Sequence, residues 1–270
     1  MSPTIDSSDR GPVRILTISN PAKRNAFSGG MAPTLRKLLA EAEADPSVRC
    51  VVITGDGNDA FSSGHDLNEV LEHPETAGDP EANAAFTLPA SMGTPVIGAV
   101  NGHAYAAGFI LALNCDLRIA GDNVQFCAVG ARIGLVPVGG QLSRLLSIVT
   151  YPTAFKFVAT ATPFGAEEAL RVVFVTATCP PEETLDRALA VGAEISSASP
   201  AVVRAAKTGL AATLNAGMVR GQALEAELAA VVRSLPDGDE GVRSFLDKRP
   251  PLYPDAPPEL QSQLDDVAAQ

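Results

Sequence analysis

The sequence predicts an α/β core followed by a helical C-terminal region. Three observations predict it. Short apolar segments alternate with helix-patterned ones through the first two thirds of the chain, and near Pro180 this gives way to successive Ala-rich helical stretches. In addition, 270 residues with 46% hydrophobic content can bury one large core.

Taken in order, residues 13–19 (VRILTIS) and 50–54 (CVVIT) are short runs rich in β-branched residues, as buried strands are. Between them, residues 31–44 place Leu35, Leu38, Leu39 and Ala42 on one face and Arg36, Lys37, Glu41 and Glu43 elsewhere, which predicts an amphipathic surface helix. Residues 72–83 (EHPETAGDPEAN) are polar and are expected to form a flexible loop. A strand over 96–100 follows Pro95, whose missing N–H does little harm at a strand start, and Asn101-Gly102 closes it with a turn. Residues 106–113 then start a helix, and 117–120 form the next strand. Past Pro180, residues 182–196, 200–214, 218–235 and 240–248 read as helices separated by Ser-Ala-Ser-Pro, Asn-Ala-Gly and Pro-Asp-Gly-Asp. The closing PPLYPDAPPELQSQLDDVAAQ is proline-rich, then acidic, and is expected to be mobile or laid on the surface. No fixed-period repeat is visible. Two units follow: a core over residues 1–195 and a helical region over 196–270.

Charge narrows the partners. Twenty Lys and Arg against 31 Asp and Glu give a net charge of -11, which opposes phosphate-backbone binding and argues against nucleic acid. An anionic ligand must therefore meet a local positive cluster. Cys50, Cys115, Cys127 and Cys179 are widely spaced without a C-x-x-C, and are expected to be buried, reduced thiols. The opening MSPTIDSSDRG is polar, and the richest apolar stretch, residues 104–115, is shorter than a bilayer span requires. A soluble cytoplasmic protein with no membrane association is the expectation.

The phosphate-loop, dinucleotide-binding, H-E-x-x-H and G-x-S-x-G patterns are absent. Of the three histidines, His65, His73 and His103, the first and last each follow a strand-turn element. Two small-residue turns stand out: Ser62-Ser63-Gly64-His65, and residues 104–108 (AYAAG). Two backbone N–H groups can converge on one oxygen only where small residues let a substrate touch the main chain, and a helix N-terminus adds its positive dipole end. An oxyanion hole would look like this. The same small residues would also serve close helix packing, and the turns alone do not choose.

FSSGHDL (residues 61–67) and VNGHAYAAG (100–108), together with NPAKRNAFS (20–28), VRCVVITGDGNDAFSSGHDL (48–67), PVIGAVNGHAYAAGFILALNCD (95–116), the Ile133-Gly134-Leu135-Val136-Pro137 run and EGVRSFLDKRPP (240–251), stand in one order. In that order they resemble the crotonase (enoyl-CoA hydratase/isomerase) superfamily over residues 12–251. The resemblance implies a spiral of ββα units with a helical trimerisation region at the C-terminus, assembled as a homotrimer or dimer of trimers. It implies an acyl-CoA thioester as substrate, coenzyme A being part of that substrate, and no metal or redox cofactor. The family's two oxyanion N–H donors fall on His65 and Ala107, where they would stabilise an enolate. Its CoA contacts fall on Lys23, Arg24 and Ala26, with Ser63, Gly64, His65 and Leu67 along the adenine and pantetheine path. Phe245 and Lys248 match a late helix that often serves the CoA pocket of a neighbouring subunit. Asp66 and Asp116 match structural positions.

The chain departs from the pattern at the acids. Hydratases of this superfamily use two glutamates, and their places hold Ile110 and Gly130. Each acid or base is commonly worth about 10²- to 10⁴-fold, so hydration by a glutamate pair is not expected. Conceivable surrogates near the motifs in sequence are His65 or His103 as base, Glu69, Glu72 or His73 swinging in from the polar loop, and Arg132 acting on a substrate carboxylate. The leading reading is an enzyme that stabilises an enolate through the hole. Alternatives are a non-catalytic acyl-CoA binding protein or a decarboxylase-like CoA lyase, although Val138 stands where the similar decarboxylase has tyrosine. A hydrolase built on Ser63, His65 and Asp66 is disfavoured, because one short turn cannot set up that geometry. Restoring glutamate at 110 and 130 is expected to raise hydration if the pocket is intact. Tyr105, Phe109 and Phe126 are expected to serve core packing.

Overall fold

The computed structural model describes residues 3–72 and 80–269. Among them are ten strands: β1 (Thr4–Arg10), β2 (Val13–Ser19), β3 (Cys50–Gly55), β4 (Ala60–Ser62), β5 (Val96–Val100), β6 (His103–Tyr105), β7 (Leu117–Gly121), β8 (Gln125–Cys127), β9 (Phe164–Gly165) and β10 (Ala177–Cys179). The helices are α1 (Met31–Ala44), α2 (Leu67–Glu72), α3 (Pro80–Thr87), α4 (Ala107–Asn114), α5 (Gly130–Ile133), α6 (Tyr151–Thr160), α7 (Ala166–Arg171), α8 (Thr184–Ser197), α9 (Pro200–Ala216), α10 (Met218–Arg233), α11 (Asp237–Leu246) and α12 (Leu260–Ala269).

From β3 to β8, successive strands alternate between two sheets. One sheet has the order β1-β2-β3-β5-β7-β10 and the other β4-β6-β8-β9. From β2 to β10 the large sheet is parallel, and β4, β6 and β8 are parallel in the small one. Each of the pairs β3/β4, β5/β6 and β7/β8 gives one strand to each sheet and then runs into helix. This is a spiral of ββα units, as the family resemblance implies. The units begin at Cys50, Val96 and Leu117, so their unequal lengths hide the repeat from any fixed-period search.

The strands read correctly from sequence are those buried on both faces. Cys50, Val52, Ile97 and Ile119 meet α8, while Val51, Ile53, Val96 and Val100 face the main core with Leu35 and Leu39 of α1. The main core also holds an aromatic cluster of Phe109, Phe126, Phe164 and Phe174. Ala201, Leu224, Leu228, Leu260 and Leu264 form a separate cluster among α9, α10 and α12. None of the described helices is long and apolar enough to cross a membrane.

One expectation is decided between its alternatives, one is corrected and one strand was not foreseen. The closing segment is laid on the helices rather than mobile: Leu260 and Leu264, four residues apart, bury against α9 and α10, and this apolar stripe outweighs the acidic composition. Part of the polar segment 72–83 is helical, since α3 begins at Pro80 and buries Ala85 and Phe86; residues 73–79 lie outside the described ones. The polar opening forms β1, an edge strand held by main-chain pairing, with Ile5 as its buried side chain.

Buried polar groups brace the spiral. Arg118 donates to the Phe174 carbonyl and to Ala112 and Cys115 carbonyls at 3.2 and 2.7 Å, closing the C-terminal end of α4. Burial lowers its guanidinium to about 10, so it stays charged near neutral pH. At the junction with α9, Arg204 reaches Glu43 at 2.7 Å and Thr94 Oγ1 at 2.7 Å, while Glu43 accepts the Gly93 and Thr94 N–H groups at 3.0 and 2.8 Å. Lys207 pairs with Asp116 at 2.7 Å, and Asp116 also accepts the Val96 N–H. Asp116 is thus structural, as expected.

Burial works to raise the Glu43 carboxyl, but Arg204 and the Thr94 bonds outweigh it and leave the group below its ordinary 4.5. A lowered acid contributes stability above its unfolded value and loses it as pH falls through the folded one. Glu43→Gln should therefore cost about 1 to 2 kcal/mol near neutral pH, allowing for partial exposure. In urea titrations the gap to the unmodified protein should narrow progressively below pH 4.5.

Candidate active site

Strands β4, β6 and β8 lie side by side and parallel, with Ser62 paired to Ala104 and Tyr105 to Cys127. Their C-terminal ends share one edge, the side on which parallel sheets bind ligands. From that edge leave the 63–66 turn, residues 106–107 entering α4, and residues 128–130 entering α5.

Two glycines press the first of these connections against the second. Gly64 has φ 101, and a Cβ there would sit 2.7 Å from Ala106 Cβ and 3.2 Å from the Ala107 nitrogen. At Gly108 a Cβ would lie 2.2 Å from the Ser62 carbonyl oxygen, so no larger residue fits. Ala106 takes φ 49 and ψ -117, a conformation costing about 1 to 3 kcal/mol for a residue with a Cβ. Its N–H donates to Cys127 O at 3.2 Å, and its carbonyl accepts from Ile110 at 2.9 Å. These bonds fix the peptide whose N–H belongs to Ala107.

Ala107 is the first residue of α4, so its N–H has no intrahelical acceptor. His65 is bracketed by two main-chain bonds, Phe27 N–H to Gly64 O at 2.8 Å and Asp66 N–H to Phe27 O at 2.9 Å, which leave its own N–H aside. Among the described residues neither N–H finds a protein acceptor. Two free backbone donors therefore stand on adjoining turns.

Residues 20–27 wrap onto the same turn. Ser63 donates its N–H to Arg24 O at 3.0 Å and its hydroxyl to Lys23 O at 3.1 Å, and Lys23 pairs with Asp66. Asn25, which sequence reasoning passed over, locks this wrap: its side chain accepts from Asn20 N–H at 3.0 Å and donates to Asp56 O and Ala60 O at 3.0 and 2.6 Å. Asn101 likewise exchanges two bonds with Gly55. Asparagine preceding Ala or Gly in a motif was the available signal for both. Lys23, Arg24, Ala26, Ser63, Gly64 and His65 are thus brought together. Leu67 begins α2, and its side chain lies outside the described residues. Phe245, 84% exposed, lies at the end of α11, which packs on α10, and Lys248 follows just beyond that helix; the chain does not fold them onto this turn. The Ser63 hydroxyl donates to the Lys23 carbonyl and Asp66 pairs with the Lys23 ammonium, contacts that argue against a hydrolase built on this turn.

The His65 ring stands edge-on to Phe86 at 5.2 Å. Burial lowers its imidazole below 6.5 despite a hydrogen bond with Asn83 and the charge of Glu69, so it is neutral near pH 7. Its Nε2 and the Nδ1 of His103 are buried without partners. His103 and Tyr105 share one face of β6, their rings 5.7 Å apart. Burial raises the Tyr105 phenol, with Cys127 adding to the rise, while Arg132 and Arg24 pull it down. Glu69 accepts the Gly29 N–H at 2.9 Å, Glu72 is exposed, and His73 lies outside the described residues. Phe109 and Phe126 belong to the aromatic core, as expected, whereas Tyr105 is only half-buried beside the site.

The two positions without acids are filled. Ile110 is 4% exposed, and a Cβ on Gly139 would lie 2.5 Å from its Cγ2. A Cβ at Gly130 would lie 2.6 Å from Leu135 O and 3.2 Å from Pro137 Cγ. The 134–140 loop therefore packs where both carboxylates would need room.

A family profile described as Enoyl-CoA hydratase/isomerase matches residues 9–256. The chain is 34% identical over 243 residues to 2,3-dehydroadipyl-CoA hydratase of Escherichia coli (strain K12), covering 89% of this chain and 94% of that protein. It is 29% identical to the short-chain-enoyl-CoA hydratase of Clostridium acetobutylicum, covering 88% and 93%. Among solved structures, an enoyl-CoA hydratase from Mycobacterium tuberculosis H37Rv superposes with TM-score 0.88 at 26% identity, covering 94% of this chain and all of that one. One from Polaromonas sp. JS666 gives 0.85 at 28%, covering 93% and 100%.

Proposed function

The chain belongs to the enoyl-CoA hydratase/isomerase family, and from that premise we propose that it holds the oxygen of an acyl-CoA thioester between the His65 and Ala107 N–H groups and stabilises the enolate. The observation that carries this reading is the pair of acceptor-free donors on adjoining turns at the ends of parallel strands. Fixed donors cost no reorganisation as charge develops, and each is worth about 3 kcal/mol in the transition state. Lys23, Arg24, Ala26, Ser63 and Gly64 line the path of the CoA moiety, and the family resemblance adds Leu67 to it. Coenzyme A enters as part of the substrate, and the reaction needs no metal or redox cofactor.

Ile110 and Gly130 remove the paired-glutamate route to hydration. The hole then suits a reaction that makes its own enolate. In decarboxylation of a malonyl-type thioester, the electrons of the breaking C–C bond pass to the enolate as carbon dioxide leaves, and a proton is then added at the α-carbon. Neutral His65, with its unpartnered Nε2, stands at the turn that supplies one donor and is our candidate for handling that proton; His103 is the second. Exposed Leu210, Leu214 and Val219 on the C-terminal helices support a homotrimer or dimer of trimers in which a neighbour's Phe245 and Lys248 complete the CoA pocket. We place the protein in the cytoplasm.

A second reading, a non-catalytic acyl-CoA binder, is favoured by the apolar contact of Ile110 with Gly139. A panel of 2-enoyl-, 3-enoyl- and malonyl-type CoA esters, followed by mass and by calorimetry, separates the two. We expect binding across the panel, turnover of the malonyl type and no hydration above background. Binding without any turnover would leave the second reading standing.

A further inference from the structure

We propose that Arg132 forms, beside the hole, a subsite for a second, free carboxylate on the acyl group, making it a specificity-determining residue. The inference rests on the acyl-CoA reading above.

The first observation is topological. Arg132 lies on α5, the helix entered directly from β8, and β8 pairs with β6, which leads to Ala107. The strand ends that present the two donors and the helix that presents Arg132 thus share one edge of one small sheet. Tyr105 and Cys127, facing each other at that edge, both feel the Arg132 charge.

The second is electrostatic. In a chain of net charge -11, most arginines are taken: Arg14, Arg49, Arg171, Arg187, Arg204, Arg220, Arg243 and Arg249 pair with carboxylates. Among the described residues Arg132 has no such partner, and neither has Arg24, whose charge also reaches Tyr105. Two uncompensated guanidinium groups therefore act on Tyr105, beside the site.

The third is the chemistry of what was lost. A glutamate at 110 or 130 would repel a substrate carboxylate and would neutralise a nearby guanidinium. Ile110 and Gly130 do neither. A site that is acidic in the glutamate-bearing pattern is cationic here, and a guanidinium is the side chain that meets a carboxylate with two parallel hydrogen bonds.

Matched thioesters test it: glutaryl-CoA against valeryl-CoA, and malonyl-CoA against propionyl-CoA, by calorimetry at low and high salt. In the unmodified protein the acidic member of at least one pair should bind tenfold or more tightly, with the preference shrinking at high salt. Arg132→Gln should collapse that ratio to within about twofold, with thermal unfolding confirming the fold. Arg24→Gln, on the CoA path, should weaken all four esters and keep the ratio. Equal binding within both pairs would sink the subsite alone. A ratio unchanged by Arg132→Gln would also sink it, as would an equal weakening of both members, which would assign Arg132 to the CoA phosphates. Failure of all four esters to bind would overturn the acyl-CoA reading together with the subsite.

Discussion

Replacing His65 by proline should reduce the acidity that a bound β-ketoacyl thioester gains by about 2 units, whereas His65→Ala should leave it almost unchanged. Because proline also sets its Cδ where the N–H pointed, an α-hydroxy acid at residue 65, which deletes the N–H without that bulk, isolates the one backbone donor. Alanine removes the imidazole and keeps the N–H; proline removes both. If each donor is worth about 3 kcal/mol and one unit of acidity about 1.36 kcal/mol, losing one donor costs about 2 units. Acetoacetyl-CoA provides the readout, because its enolate absorbs in the near ultraviolet and can be titrated on the protein. The substitution removes no internal hydrogen bond, since the turn is held by Phe27 N–H to Gly64 O and Asp66 N–H to Phe27 O. Gly64 precedes it and tolerates the restriction that proline places on its neighbour. The α-hydroxy acid, which makes an ester of that link, also serves if the proline variant does not fold. Equal ionisation on the alanine, proline and ester variants would mean that the His65 N–H is not a donor to the thioester.

The second large effect concerns Ile110→Glu with Gly130→Glu, and the structure reverses the expectation drawn from sequence. Motif positions alone suggest that restoring both acids restores hydration. Yet Ile110 is buried against Gly139, and the backbone oxygen of Leu135 stands 2.6 Å from where a Cβ at 130 would be. A carboxylate at 110 would enter apolar surroundings without a partner, and one at 130 would have to displace main chain. The double variant should lose about 3 kcal/mol or more in urea titration and gain no hydration of crotonyl-CoA. A gain of a hundredfold or more would show instead that the 134–140 loop leaves these positions when ligand binds.

Much of the fold was legible because it obeys periodicity. The α1 stripe of Leu35, Leu39 and Ala42 is buried as its spacing requires, and β2, β3, β5 and β7 carry enough apolar residues to announce themselves. The small sheet was not legible: its strands are two or three residues long, too short for any alternation to register. In α12 the stripe was present, in Leu260 and Leu264, but a proline-rich approach and an acidic composition obscured it.

By itself, the sequence determined the order of the motifs, the family they resemble and the loss of both acids at Ile110 and Gly130. These are properties of residue identity and spacing along one chain. Only the tertiary structure decided that Gly64 and Gly108 clamp two distant turns together, that the His65 and Ala107 N–H groups are left without acceptors, and that the 134–140 loop fills the acid positions. Such facts depend on how closely main-chain segments from different strands approach and on which hydrogen bonds their neighbours have already taken. No periodicity within a single element records either.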